Sequence, residues 1–421
     1  MRLVVHDYSG HPGQVHLSRE LARRGHHVEH QFCASYTTGR GAIEHRIGDP
    51  PSFRVRALEL RTQFARYSPF LRLWQELQYA REATCAVLDE QPDIAVLSNV
   101  PLLSLLLLAL ALRIRGIHYV FWQQDIYSEA INVIAREKLG RIGALVGWVA
   151  TRCERRIARD AAAVIAISDA FVAQLEAWGV RSSAIHVIPN WAAIDEMPLR
   201  PRDNDWAKSN GLVDSPVVMY AGTLGWKHDP SAIAKLAQTA PSGTRVLVVS
   251  QGLGREWLES NADDAPGLTL LDYQPYEQLP DMLASADVLL VILEQGASRY
   301  SVPSKVLNYL CAGRPILALL PVENAVAEAV AAAGAGVVVA PGDSEAASAA
   351  LNHLLSDPLE RAKMGSAARE YAERTFDVAA VGDRFEAVFD QLRIHEENGR
   401  HRIRLLPFAV QSRADLVDEG S

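Results

Sequence analysis

Short apolar runs alternate with longer stretches whose apolar positions recur every three or four residues, and the alternation occurs twice along the chain. In the first half, residues 3–5, 93–97, 118–122, 164–167 and 185–188 read as buried strands, and Gly25-His26-His27-Val28 opens another. The spacing between them predicts an amphipathic helix after the loop Asp7–Gln14 and running through about Arg24. It also predicts a very apolar helix over 101–112, a long amphipathic helix over 136–159, and a helix capped by Ser168-Asp169 and running to Trp178. At about a dozen residues the apolar helix is too short to span a bilayer. In the second half the strands are 217–220, 245–249, 268–271, 288–293, 316–320 and 336–339, with helices near 231–239, 277–285, 344–355, 358–374 and 378–395. Two such alternations predict an α/β protein built from two doubly wound, Rossmann-like domains, 1–198 and 199–377, that face each other across a cleft. Pro198, Pro201 and the charged stretch 200–208 read as the linker. Residues 378–395 form a last helix able to return to the first domain, and the tail 396–421 shows no clear periodicity.

Composition narrows the class. With 421 residues, 49% hydrophobic and 22% charged, the chain has the make-up of a globular protein of two or three domains. It opens on Met1-Arg2-Leu3-Val4-Val5, a short strand rather than a secretory leader, which makes the cytoplasm the expected compartment. Cys33, Cys85, Cys153 and Cys311 lack metal-ligand spacing and read as buried, reduced thiols. The net charge of −8 is uneven: residues 1–200 carry 23 Lys and Arg against 20 Asp and Glu, which leaves 19 against 30 for the remainder. This argues against a nucleic-acid partner and leaves room for a basic patch on the first domain, facing an anionic membrane or acceptor. The segment from Arg54 to Arg81, with Phe64, Tyr67, Phe70 and Trp74, is either a solvated helix face or an interfacial one.

The sharpest local chemistry lies between Ser298 and Ala318. Val302-Pro303 is extended, Ser304 can cap a helix, Gly313 stops that helix, and a buried strand follows. A helix start presents free N–H groups and about half a positive charge, so Lys305 in the first turn is unfavourable unless an anion is near. Gly13, in the loop after the first strand, either lets a substrate approach the backbone or serves a turn. Asp125, beyond the strand at 118–122, either meets substrate or caps a helix. Gly252 and Gly254 are a weak phosphate signal.

Together these stretches resemble a GT-B glycosyltransferase, most similar to the retaining, nucleotide-sugar-dependent family 4, over roughly residues 1–390. The carriers are Ala166-Ile-Ser-Asp-Ala with Ile188-Pro189-Asn190-Trp191, Tyr220-Ala-Gly-Thr-Leu-Gly-Trp-Lys227, Ala286-Asp287-Val288, and Pro303-Ser-Lys-Val-Leu-Asn-Tyr-Leu-Cys-Ala-Gly-Arg-Pro315. The resemblance implies transfer of a hexose-type sugar from a nucleoside-diphosphate sugar to an oligosaccharide or lipid-linked acceptor in bacterial polysaccharide or glycolipid assembly. It implies no metal or other cofactor, and a peripheral location at the inner face of the cytoplasmic membrane. Lys227, Lys305 and Asp125 would be catalytic. Gly13, Thr223, Lys227, Ser304 and Lys305 would hold the donor diphosphate, Asn308 the ribose, and Gln274 and Tyr276 the nucleobase, while Tyr300, Ser301, Val302 and Pro303 would face the sugar. Many relatives carry two glutamates seven residues apart; here Asn308 takes the later position and the earlier falls near Tyr300, which weakens the expected ribose contact. A nucleotide-sugar epimerase and a catalytically degenerate subunit serving a partner transferase are the alternatives.

Overall fold

A computed structural model of the chain describes residues 1–36, 43–60, 69–225, 227–261, 265–297 and 302–404. The first half runs β1 (Arg2–Asp7), α1 (Pro12–Arg23), β2 (His27–Cys33), β3 (Phe53–Leu58), α2 (Pro69–Glu90), β4 (Ile94–Ser98), α3 (Leu102–Ile114), β5 (His118–Gln123), α4 (Tyr127–Asp160), β6 (Ala163–Ala166), α5 (Val172–Ala177) and β7 (Ile185–Val187). After the short α6 (Asp205–Ser209), the second half runs β8 (Val217–Ala221), α7 (Pro230–Thr239), β9 (Arg245–Val249), α8 (Leu253–Asn261), β10 (Leu268–Leu271), α9 (Leu279–Ala284), β11 (Val288–Ile292), α10 (Lys305–Ala312), β12 (Ile316–Leu319), α11 (Ala325–Ala333) and β13 (Gly336–Val339). Three helices close the chain: α12 (Ser344–Ser356), α13 (Pro358–Thr375) and α14 (Val378–Arg404).

Both sheets are parallel. The first has seven strands in the order β3-β2-β1-β4-β5-β6-β7 and the second six in the order β10-β9-β8-β11-β12-β13. Each reverses direction of winding beside its first strand, which opens a crevice at the carboxyl ends of the strands. Burial on both faces explains the unbroken apolar runs: Val4, Val5, Val96, Val120, Val218, Leu290 and Leu317 are all sealed from solvent.

Several elements depart from the sequence reading. Residues 54 and 56 lie in edge strand β3 rather than in a helical segment. Its central positions are half-exposed, so it lacks the apolar run that marks the inner strands. Residues 61–68, which include Phe64 and Tyr67, fall outside the described residues, as does the tail from 405. Helices α8 and α11 were not anticipated. Gly252 and Gly254 press on Leu224, where added Cβ atoms would lie 2.8 Å from its carbonyl oxygen and 2.9 Å from its Cβ, so close packing accounts for them. Helix α1 begins at Pro12, so Gly13 and Gln14 form its first turn, not a loop. The stretch 200–208 packs on the second sheet's layer: Arg202 pairs with Asp287 at 3.1 Å, and Asn204 caps α6 while donating to Asp281 O at 2.8 Å. Of the cysteines, Cys33 and Cys311 are buried, but Cys85 is exposed and Cys153 half-buried.

Helix α14 crosses back to the first half. Arg24, at the C-terminal cap of α1, binds Asp383 and Glu386, each at 2.6 Å, and His26 reaches Glu386 at 2.8 Å. Phe385 meets Trp122 edge-on at 4.9 Å, and Trp122 stacks on Trp191 at 5.6 Å.

The helix expected over 136–159 begins earlier, at Tyr127, and is broken at residue 140, so that it forms a helical hairpin with 141–159 as most of its second arm. Gly140 leaves helical dihedrals (φ 54°, ψ −121°) and divides α4 into two arms. Buried Glu154, near the end of the second arm, accepts the N–H groups of Tyr127 at 3.1 Å and Ser128 at 2.7 Å at the start of the first, so the arms run antiparallel. Burial raises its carboxyl pKa, opposed by those hydrogen bonds. The arms touch through glycine: a Cβ on Gly143 would sit 1.8 Å from Ala135 O. Gly143→Ala is expected to lower stability by about 1–3 kcal/mol in urea unfolding, because backbone must move to admit one methyl group. An unchanged midpoint would contradict the close packing of the arms.

Candidate active site

Buried Asp7 organises the carboxyl end of β1. It accepts hydrogen bonds from the Asn99 side chain at 2.8 Å, the Ser9 hydroxyl at 3.0 Å and the His11 main-chain N–H. Burial raises its pKa, and these donors together with the His11 charge oppose the rise. The turn that Asp7 holds delivers Pro12 and Gly13 to the crevice as the first turn of α1. Gly13 packs closely there: a Cβ would stand 3.1 Å from Trp191 O.

On the opposite wall, α10 is pinned to β8. The buried Tyr309 hydroxyl accepts Ala221 N–H at 2.8 Å and donates to Ala221 O at 3.1 Å. At the far end Gly313 ends the helix in the left-handed conformation (φ 64°), and Arg369 of α13 donates to Cys311 O at 2.9 Å. Ser304 does not cap α10. Its own dihedrals are helical (φ −64°, ψ −22°) and its side chain accepts no capping bond; the carbonyls of Pro303 and Ser304 take Val306 N–H and Leu307 N–H instead.

Lys305 is the electrostatic centre. Its ammonium group lies 3.7 Å from the centroid of the Tyr220 ring and donates to the Tyr220 hydroxyl, which in turn donates to Thr223 O at 2.9 Å. Gly222, at φ 136°, leaves room for it, since a Cβ would meet Lys305 Cε at 3.0 Å. Among the described residues no carboxylate lies within 4 Å of Lys305. Burial, and then the charge of Lys227, pull its pKa well below that of an ordinary lysine. His228 alongside is driven to about 2 by burial and by the Lys305 and Lys227 charges, and its Nδ1 accepts Gly225 N–H at 3.0 Å. Lys227 stands 4.0 Å from Asp125 of the first half, an ion pair across the crevice with both side chains about one-third exposed.

The crevice encloses about 440 Å³. Gly13 and Asp125 line one wall, and Thr223, Lys227, Gln274, Tyr276, Val302, Pro303, Ser304, Lys305 and Asn308 line the other. Tyr300 and Ser301 fall outside the described residues. Two of these groups have partners that the motifs did not foretell. Thr223 is hydrogen-bonded to the Tyr273 hydroxyl, and Tyr276 to Glu196 at the joint between the halves. Glu196 also accepts from His16 at 2.9 Å and from Arg46. Burial alone would raise its pKa, but these donors bring it down to about 2, so the tie stays ionised at any physiological pH. Sequence reasoning missed Asp7, Tyr220, Tyr309 and Glu196. Asp7 followed two residues later by Ser9 is an Asx-turn pattern that points to the first; the other three act through contacts distant in the chain.

Tyr309→Phe is expected to destabilise the protein by about 1–3 kcal/mol, because it leaves the Ala221 N–H and carbonyl without the phenol. Denaturant unfolding reads this directly, and no loss would mean that α10 is held by something else.

Two family models match the chain: the Glycosyl transferase 4-like domain over residues 12–191 and Glycosyl transferases group 1 over residues 215–357. No curated protein sequence matches it. Among solved structures, sucrose-phosphate synthase from Thermosynechococcus elongatus superposes with a TM-score of 0.70 at 18% identity, over 94% of this chain and 100% of its own. HepE of Anabaena in complex with UDP and glucose superposes at 0.67 and 16%, over 93% and 100%. WaaG, a glycosyltransferase involved in lipopolysaccharide biosynthesis, superposes at 0.63 and 16%, over 92% and 98%. At these identities the likeness concerns the fold.

Proposed function

The chain belongs to the glycosyltransferases of the GT-B fold, and on that premise we propose that it is a retaining enzyme of the family 4 type. It moves a sugar from a nucleoside-diphosphate sugar to an oligosaccharide or lipid-linked acceptor in bacterial polysaccharide or glycolipid assembly. The observation that carries this reading is the convergence of Lys305 and Lys227 on a crevice where Lys305 has no carboxylate among the described residues. HepE, a structural neighbour, is captured with UDP-glucose, which makes uracil the first base to test.

The chemical difficulty in such a transfer is the charge that develops on the leaving diphosphate. Preorganised cations reduce the barrier because they need not reorganise as the charge appears. Lys305 supplies one such cation from a fixed position over Tyr220. Lys227 supplies another once the donor draws it from Asp125, and Asp125 is left facing the acceptor side. The two ammonium groups take the part that a divalent metal plays elsewhere, so no cofactor is invoked. Thr223 and Ser304 add hydroxyls beside the diphosphate, and Gly13 lets it approach the start of α1. Asn308 gives the ribose a neutral hydrogen bond where many relatives offer a carboxylate, Gln274 and Tyr276 border the base, and Val302 and Pro303 border the sugar. Lys305→Ala and Lys227→Ala are each expected to slow release of nucleoside diphosphate from the cognate sugar donor by about two to three orders of magnitude while the protein stays folded. Full activity in either variant would remove that lysine from its role. Tight donor binding with neither transfer nor donor hydrolysis in the unaltered protein would favour the degenerate subunit.

The acceptor side carries a surface suited to the inner face of a membrane. The α4 hairpin exposes Ile142 at 68%, Leu145 at 61% and Trp148 at 56%, interleaved with Arg136, Arg141 and Arg152, the last lying 4.8 Å over the Trp148 ring. Apolar side chains among arginines match an interface of acyl chains and anionic headgroups. No described helix is long and apolar enough to cross a membrane. Binding to phosphatidylglycerol vesicles is expected to fall at least about tenfold in Ile142→Asp/Leu145→Asp, since two buried apolar side chains contribute more than 1.4 kcal/mol. Equal sedimentation of the two proteins, or binding indifferent to lipid charge, would contradict this surface.

A further inference from the structure

A second cavity lies at the opposite end of the first sheet, where β5, β6 and β7 begin. It encloses about 570 Å³. Arg113 from the end of α3, Arg159 from the end of α4 and Arg181 from the loop before β7 line it, joined by His118 and His186 at the start of their strands. The only carboxylate among its described lining residues is Asp160, which already accepts from Arg113 at 2.5 Å and from Arg156 at 2.6 Å. Arg159 and Arg181 have no carboxylate within 4 Å among the described residues. Arg159 instead leans on Gly179, whose left-handed backbone (φ 85°) leaves its missing Cβ position 3.7 Å from Arg159 Nε. Neighbouring Arg155 is occupied, donating to Trp178 O at 2.9 Å. The cavity wall therefore has an excess of guanidinium groups, contributed by three separate elements. Gln391 and Leu392 of α14 close its remaining side.

We infer that this cavity is a binding site for a phosphate-bearing anion, a diphosphate or phosphomonoester, separate from the transfer crevice. Guanidinium groups match phosphate geometry and keep their charge at every physiological pH, and planar forks offer paired donors to adjacent oxygens. Two unneutralised arginines and a third shared with Asp160 suit an anion of about two charges better than a monovalent one. Because α14 supplies one wall and is clamped to α1 at Arg24, occupancy joins α14 to the ends of α3 and α4.

Calorimetric titration with inorganic pyrophosphate tests this, using the full chain, Lys305→Ala, Arg159→Gln/Arg181→Gln and the three substitutions combined. Both arginines are exposed, so the double variant keeps the fold, which circular dichroism and the thermal midpoint verify. The expected result is binding that survives Lys305→Ala and weakens at least about tenfold in the arginine variant, since each lost charge-assisted bond is worth that factor or more. Release of nucleoside diphosphate by the transfer reaction stays unchanged in the arginine variant. Absence of pyrophosphate binding in Lys305→Ala at 10 mM, or binding there that is indifferent to the arginine changes, overturns the proposal. Because the readout is pyrophosphate rather than a sugar donor, failure of the proposed transfer reaction leaves this result standing. Vesicles of phosphatidic acid, whose headgroup is a phosphomonoester, distinguish the source. Vesicle binding that is lost in the arginine variant and displaced by pyrophosphate assigns a lipid headgroup, and pyrophosphate binding without that displacement assigns a free phosphate compound.

Discussion

An ammonium group held without a counter-charge governs the second half of the molecule. Lys305 occupies the first turn of α10, where the helix dipole adds about half a positive charge, and Lys227 approaches from the turn after β8. The Tyr220 ring and hydroxyl hold the ammonium in place but do not neutralise it. Such an arrangement persists only if the helix cannot retreat. Tyr309 bonded to both main-chain groups of Ala221, Arg369 on the last turn and Gly222 cleared of a side chain together fix it. On the proposed reading, the free energy this costs in the empty protein is recovered when the donor's diphosphate arrives.

The first half is held to this centre by three joints of different character. Aromatic stacking of Trp122, Trp191 and Phe385 is apolar, and the Arg24 cluster with Asp383 and Glu386 is ionic. The tie from Tyr276 through Glu196 to His16 and Arg46 crosses the mouth of the crevice itself. The last of these sits beside the expected nucleobase position, so opening of the halves and access to that position are mechanically linked. Across the crevice, Asp125 and Lys227 face each other at 4.0 Å. On the proposed reading a donor diphosphate displaces that pair, which gives the two halves a reason to respond to its arrival.

Much of this was legible in the chain because parallel strands buried on both faces leave continuous apolar runs. Strands 245–249, 268–271 and 336–339 were read to the residue for that reason. Edge strand β3 escaped because its solvent-facing arginines break the run, and α11 because Ala325–Ala333 is nearly all alanine and valine and shows no polar face. Most of the first arm of the α4 hairpin has no counterpart in the sequence reading, and the helix read over 136–159 runs through Gly140 because the apolar spacing does not mark the reversal; only the backbone angle at that glycine does. For the site, residues next to one another in a motif were found, and those that hold them were not. Lys305 was visible at a helix start, whereas Tyr220 and Tyr309, which fix it, depend on contacts some 85 residues apart. Ser304 was misassigned because a serine after Pro303 has the right composition for a cap but adopts helical dihedrals itself.

The central claim is that Lys305 is kept uncompensated in order to bind a diphosphate. A thermal-shift titration of the protein and of Lys305→Ala with UDP, GDP, ADP and dTDP tests it most directly. One nucleotide is expected to stabilise the unaltered protein by about 2.7 kcal/mol at a hundred times its dissociation constant. Lys305→Ala, no less stable when empty, is expected to lose that gain. Stabilisation that survives intact in Lys305→Ala, or a variant that is markedly less stable without ligand, would contradict the claim.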